Sequence, residues 1–170
     1  MNTFILYYNP KYHPEDKPET IAEVVRLMRK GFRNPDMNWA VWDWQQAHKG
    51  DRFFMLRCGS PNPADDGVIQ SGRFTSEPWR DEDWSGRGRD VHYMNIEFNV
   101  VLNTMKCPVL SSEKLDLRIP NFDWHGGHSG RILDEFSANM LDSLWNQHVD
   151  ALVADSKTRR YVFDGRLKAE

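Results

Sequence analysis

Only two cysteines occur in the 170 residues, Cys58 and Cys107, and they stand in unrelated contexts. That excludes a disulfide framework and leaves no pair at the spacing of a zinc site. A reduced, cytoplasmic setting is the expectation. Long apolar runs are also missing: none approaches the ~20 residues of a membrane span, so no membrane partner is expected. The opening Met1-Asn2-Thr3-Phe4 lacks the basic and apolar regions of a signal peptide. There is no Gly-Lys-Ser/Thr phosphate loop, no Gly-x-Ser-x-Gly elbow, no internal repeat and no low-complexity tract. Neither cysteine has a persuasive local partner, and paired carboxylates occur only in charge runs such as Asp81-Glu82-Asp83. No catalytic residue and no cofactor are expected.

Positive charge is in short supply as well. Lys and Arg number 22 against 25 Asp and Glu, a net charge of −3. A general nucleic-acid coat would be basic, so that class is disfavoured. The cations are nevertheless clustered: Arg26, Arg29, Lys30 and Arg33; Arg80, Arg87 and Arg89; Lys157, Arg159 and Arg160. Each cluster taken alone reads as a solvated face. A small reader with one basic face stays open.

What the chain has in excess is tryptophan. There are seven, three of them in the run Asn38-Trp39-Ala40-Val41-Trp42-Asp43-Trp44, while Trp79, Trp84 and Trp124 fall in loop-like stretches. Trp is rarely needed merely to fill a core, and its indole N–H seeks a partner when buried. Flat indoles also stack against nucleobases, as in proteins that bind single strands or flipped bases. Two readings of Trp39 follow: a plug in the core or at a barrel end, or one wall of an aromatic cage. At least one of Trp42 and Trp44 is expected to be plain core.

The periodicities give a coarse fold. Residues 3–8 are a buried strand ended by Asn9-Pro10. Residues 18–30 carry Ile21, Val24, Val25 and Met28 at helical spacing, with Gly31 as a stop. Strands follow at 52–57 and 67–76, and residues 77–90 read as a mobile loop. Strict alternation of Met94, Ile96, Phe98, Val100 and Leu102 marks the clearest strand. A short capped helix follows Leu110, and Ile132–His148 form a helix with Leu133, Phe136, Met140, Leu141, Leu144 and Trp145 inward. The fold class is α/β (α+β), a small mixed barrel with helices packed outside. Residues 1–150 form the domain, and 151–170 read as a polar C-terminal tail.

The order of motifs resembles the EVE-like branch of the PUA superfamily, whose relatives include YTH domains and the modified-base-reading domains beside HNH nucleases in modification-dependent restriction systems. The resemblance rests on Asn9-Pro10-Lys11 after the first strand, the helix leading to Trp39, and the strands Gly50–Arg57, Gly67–Pro78 and Asn95–Leu102. Trp124 with Ser129-Gly130 and a closing helix ending in Leu144-Trp145 complete it. It implies a five- or six-stranded barrel with a pocket for one extruded base. Trp39 would be one wall. The second would come from Trp84, preferred for its loop-tip position, or from Trp79. Asn9 would read a base edge, with Trp124 and Ser129 lining the remaining side. Arg57, Arg80, Arg87 and Arg89 would meet phosphates. The chain departs from the pattern after Trp39, where Ala40-Val41 follow, and after Trp124, where His125-Gly126-Gly127-His128 stand.

The resemblance implies a non-catalytic reader of a modified base, cytosine-derived in DNA (such as 5-methylcytosine), serving as the specificity component of a defence system. No nuclease segment follows residue 150, so cleavage would fall to a separately encoded nuclease partner. An RNA-binding PUA-like module is the alternative. A metal-dependent enzyme using Asp123, His125 and His128 is a third reading. It is weakened by the flexible Gly126-Gly127 spacing, since zinc ligand pairs ordinarily sit on a regular element. The same glycines expose N–H groups that suit a phosphate. A protein-interaction module with a Trp pocket is the fourth.

Overall fold

The computed structural model describes residues 1–83 and 87–166. In chain order the elements are β1 (Thr3–Tyr8), α1 (Pro18–Arg29), β2 (Asn38–Ala40), β3 (Arg52–Arg57), β4 (Gly67–Phe74), β5 (Trp79–Glu82), β6 (Asp90–Leu102), β7 (Leu110–Ser111), α2 (Ser112–Arg118), β8 (Arg131–Leu133), α3 (Glu135–Ala154) and β9 (Val162–Asp164). The β-branched and aromatic run of β1 is buried along its whole length, because β1 lies between two other strands. It pairs in parallel with β3, Phe4 opposite Phe53 and Leu6 opposite Met55, and antiparallel with β8. The sheet path is β2-β6-β4-β3-β1-β8, with β5 and β9 added on β6 and β7 on β4. This is the expected small mixed barrel with flanking helices, its sheet curled into a half-barrel.

Alternation along β1 and β3 separates two cores, while β6 changes face at the register slip opposite Ser71 and Gly72, so that Met94 and Ile96 lie in one core and Val100 and Leu102, at the same alternation, in the other. Phe4, Leu6, Phe53, Met55, Ile69, Phe74, Met94 and Ile96 form one cluster, inside the curl. Ile5, Phe54, Leu56, Val68 and Val100 point the other way, against Leu141, Leu144, Trp145 and Val149 of α3 and Leu115 of α2. Each fully buried apolar side chain contributes about 1.5–3 kcal/mol. Trp145 is buried, and its Nε1 donates to Ser71 Oγ at 3.0 Å, so the indole N–H is satisfied inside the core. The register slips between Ser71 and Gly72 opposite β6, and a Cβ on Gly72 would lie 2.0 Å from the Glu97 carbonyl oxygen. That bulge admits only glycine and bends the sheet.

Three expectations change. Residues 79–82 are not loop but β5, pairing residue for residue with Asp90–Tyr93. The charges of Arg80-Asp81-Glu82 hid it, since an exposed edge strand needs no apolar alternation. The last helix starts at Glu135 rather than Ile132, capped by Asp134, whose Oδ1 accepts from Ser137 N at 2.8 Å. Leu133 is therefore buried from a strand, and Phe136, in the first helical turn, is exposed at 76%. Third, the boundary at 150 falls inside α3, and β9 pairs with Val100–Leu102 of β6 while Phe163 packs on Val25 and Met28 of α1. Among the described residues no helix is long and apolar enough to cross a membrane.

Candidate functional site

A cleft of about 1000 Å³ opens where the end of β1, the segment 38–45, the residues around 87–93 and the turn 125–129 meet. Asn9 closes β1 here: its Oδ1 accepts from Lys11 N at 3.0 Å and caps the 3-10 turn Pro10–Tyr12, which delivers Tyr12 and His13 to the cleft. β2 then delivers Trp39, half-buried, with one edge on the inner core. Its Nε1 donates to the Tyr7 carbonyl at 3.1 Å. The indole stacks on His13, centroids 5.3 Å apart and planes 17° apart, and His13 stacks in turn on Tyr8 at 4.9 Å. Tyr8 Oη donates to Asp16 Oδ2 at 3.1 Å. Burial and the neighbouring Asp16 carboxylate push the Tyr8 phenol well above its usual range.

Ser129 also lines the cleft, with Gly130 following it in the chain. Ser129 Oγ accepts from Tyr7 N at 3.0 Å, and its carbonyl accepts from Trp42 N at 2.8 Å. Gly130 has φ +87, and a Cβ there would lie 2.4 Å from Val41 Cα, so this crossing of two segments requires glycine. Tyr7 Oη donates to the Asp123 carbonyl at 2.6 Å. Burial, then the charge of Asp123, raises that phenol's pKa far above the ordinary value. Cys58 also faces the cleft; burial first, with Asp66 and Asp123, pushes its thiol up to about 11, so it stays protonated.

Flat rings recur along the rim. Trp42 stacks on His128, centroids 3.6 Å and planes 7° apart, and Trp44 stacks on His92 at 3.7 Å and 10°. Neither Trp is plain core: Trp42 is 51% exposed, and Trp44 is half-buried with contact to the inner cluster. Arg87 lies 5.5 Å from the Tyr12 ring centroid, and Arg89 Nε donates to Asp83 Oδ2 at 2.8 Å.

The cleft thus brings together Trp39, Asn9, Ser129, Arg87 and Arg89. Trp84 lies outside the described residues. Trp79 sits on β5 with its ring 5.1 Å from Tyr93 and its Nε1 donating to Asn95 Oδ1 at 3.3 Å, away from the cleft lining. Trp124 is fully buried in the outer core; its Nε1 donates to the Ile119 carbonyl at 2.8 Å, so it lines no pocket. Arg57 is turned inward, donating to the Asp65 carbonyl at 2.8 Å and to Thr104 Oγ1 at 3.0 Å, and burial lowers its pKa. Arg80 does not line the cleft, though it pairs with Asp90, which does.

Asp123, His125 and His128 do not converge. His125 Nε2 is 2.6 Å from Asp116 Oδ2, His128 is stacked on Trp42, and Asp123 Oδ1 accepts from His125 N at 2.9 Å. Among the described residues, the one group at metal-ligand separation is His13 with Glu15 and Asp16. Sequence reasoning missed His13, His92 and Tyr12. Each is a lone ring in an unremarkable context and gains meaning only from a contact partner distant in sequence.

No protein-family model matches the sequence, and no curated protein is detectably similar to it. Among solved structures, the chain is similar to the complex of the YTH domain-containing protein mmi1 with RNA: TM-score 0.51, 13% identity, 91% of this chain and 87% of that one covered. The chain shares the YTH-domain fold. A second mmi1 YTH complex with RNA gives TM-score 0.48 and 11% identity over 88% of this chain and 80% of that one. The YTH-like fold agrees with the resemblance read from the motif order, at the level of architecture.

Proposed function

We propose that the chain is a non-catalytic reader of a modified nucleobase, which it accepts from a strand into the cleft against Trp39. The observation that carries the reading is Trp39 itself. An indole anchored by its own N–H, stacked on a second flat ring and facing a large cleft, is a stacking wall already in position. Stacking supplies ~1–3 kcal/mol per base and offsets the few kcal/mol of extruding it. Asn9, with its Nδ2 free of any acceptor among the described residues, and the hydroxyl of Ser129 are the groups offered to a base edge. Arg87 and Arg89 are the phosphate contacts at the same rim. A methyl group alone is worth only ~1–3 kcal/mol in such a pocket, so discrimination between marks is modest.

The motif resemblance favours a cytosine-derived mark in DNA, with a separately encoded nuclease as partner. RNA is the second reading, favoured by the fold shared with the mmi1 complex with RNA. A metal-dependent enzyme loses its basis, because Asp123, His125 and His128 face different partners. The test is a fluorescence-anisotropy screen over matched DNA and RNA single strands carrying cytosine, 5-methylcytosine, 5-hydroxymethylcytosine, adenine or N6-methyladenine at the centre, at several salt concentrations. One modified strand binding above its unmodified match supports the reader. Equal, weak binding of every strand removes it.

A further inference from the structure

The cleft is larger than a single extruded base requires, and Trp39 occupies only part of its wall. Three residues on, Trp42 lies at the same cleft with half its surface in solvent. An exposed Trp forfeits apolar burial and is uncommon without a purpose. This one is held rather than loose. Its backbone N donates to the Ser129 carbonyl, and the next residue, Asp43, donates to the Gly130 carbonyl at 3.0 Å. Asp43 Oδ2 accepts from Ile132 N at 2.7 Å, which ties the same turn to β8. His128 covers one face of the indole, 3.6 Å away and nearly parallel. Among the described residues it is the only ring stacked on Trp42, and the Trp42 Nε1 has no acceptor. The result is a flat, oriented, half-open aromatic surface.

We propose that the Trp42–His128 pair is a second stacking platform, which takes the base next to the one read at Trp39. The ligand is accordingly a single-stranded segment. This rests on the reader function proposed above. Three residues span at most ~11 Å of extended chain, so the two platforms lie within reach of adjacent nucleotides on one strand. A π-face accepts any base, so the second platform adds affinity without adding sequence preference. His128 completes a layered stack, ring on ring, that a base extends by one further layer on the open face of Trp42.

The test uses the best-binding single strand from the screen and two derivatives with an abasic residue immediately 5′ or 3′ of the central base. Wild-type protein is expected to bind one of the two derivatives on the order of tenfold more weakly than the intact strand. Trp42→Ala is expected to bind the intact strand as weakly as wild type binds that derivative, and to be indifferent to the abasic residue. Trp42→Phe restores part of the difference. Thermal melts of both variants monitor folding, which an exposed side chain disturbs little. Trp42→Ala at wild-type affinity overturns the platform, and so does reduced affinity with undiminished sensitivity to the abasic residue. Loss of binding in Trp39→Ala without coupling at Trp42 keeps the reader and removes only the platform. Wild-type protein that binds no strand removes both.

Discussion

Trp39 Nε1 and the carbonyl oxygen of Tyr7 are 3.1 Å apart, so the indole at the cleft is tied to the strand that runs between β3 and β8. The bond uses an acceptor at the end of β1 and sets the plane of the ring. A stacking wall oriented in this way loses little side-chain freedom when a flat ligand arrives.

The first prediction concerns that wall. Trp39→Ala should weaken binding of a modified strand by ~1–3 kcal/mol while circular dichroism stays native. Trp39→Phe keeps a ring but forfeits the hydrogen bond to Tyr7, so its affinity should lie between the two. Anisotropy titrations of all three proteins decide it, and unchanged affinity in Trp39→Ala would sink the cage.

The second concerns Gly130. Its left-handed backbone and the 2.4 Å approach to Val41 Cα leave no room for a methyl group. Gly130→Ala should cost roughly 1–3 kcal/mol from backbone strain alone, more once the contact with the 41–42 segment is counted. Urea unfolding followed by fluorescence reads this directly. A variant as stable as the parent would contradict the crossing described here.

A third prediction is a pH dependence of stability. His148 Nε2 is 2.7 Å from the Pro108 carbonyl, and burial lowers the imidazole pKa against the raising effect of that hydrogen bond, with Lys114 lowering it further. The unfolded chain therefore takes up this proton at a higher pH than the folded one. The contribution is complete above ~6.5 and is lost as pH falls below that value toward the depressed folded pKa. His148→Gln should flatten the change in urea midpoint between about pH 7.5 and 5.5. An identical slope in the two proteins would assign the effect elsewhere.

The thiols supply a fourth. Burial raises both Cys58 and Cys107 to about 11 from 9.0, which leaves far less thiolate at a given pH. At pH 8 the folded protein should react with iodoacetamide about 100-fold more slowly than a free thiol of ordinary pKa, and at the ordinary rate in urea. Rapid modification of Cys58 in the folded state would mark it as a reactive group in the cleft.

Much of the architecture was legible because it is written in apolar period. The alternation from Met94 to Leu102 announced the second half of β6, and the spacing of Val24, Val25 and Met28 announced α1. β5 was illegible for the converse reason: Arg80, Asp81 and Glu82 are exposed, so hydrogen bonding to β6 organises them without any apolar signature. The wall at Trp39 was readable from an over-rich run of indoles. Trp124 misled because its neighbours are glycine and histidine, which look like loop, while the indole itself reaches the core and finds the Ile119 carbonyl. Ring pairs such as Trp42 with His128 are products of the tertiary crossing at Ser129-Gly130, and no local pattern encodes them.

The position of β1 in the sheet has a consequence for synthesis. Its neighbours are β3, which ends at Arg57, and β8, which begins only at Arg131. At ~5–20 residues per second, Thr3–Ile5, the part of β1 that β8 pairs with, wait on the order of ten seconds at the ribosome before their second edge can be covered. Throughout that interval an apolar strand stands with one row of amides unpaired, the kind of edge that seeks pairing with another chain. Docking of the 129–133 segment therefore completes the cleft and, in the same step, covers the open edge of β1 at Thr3–Ile5.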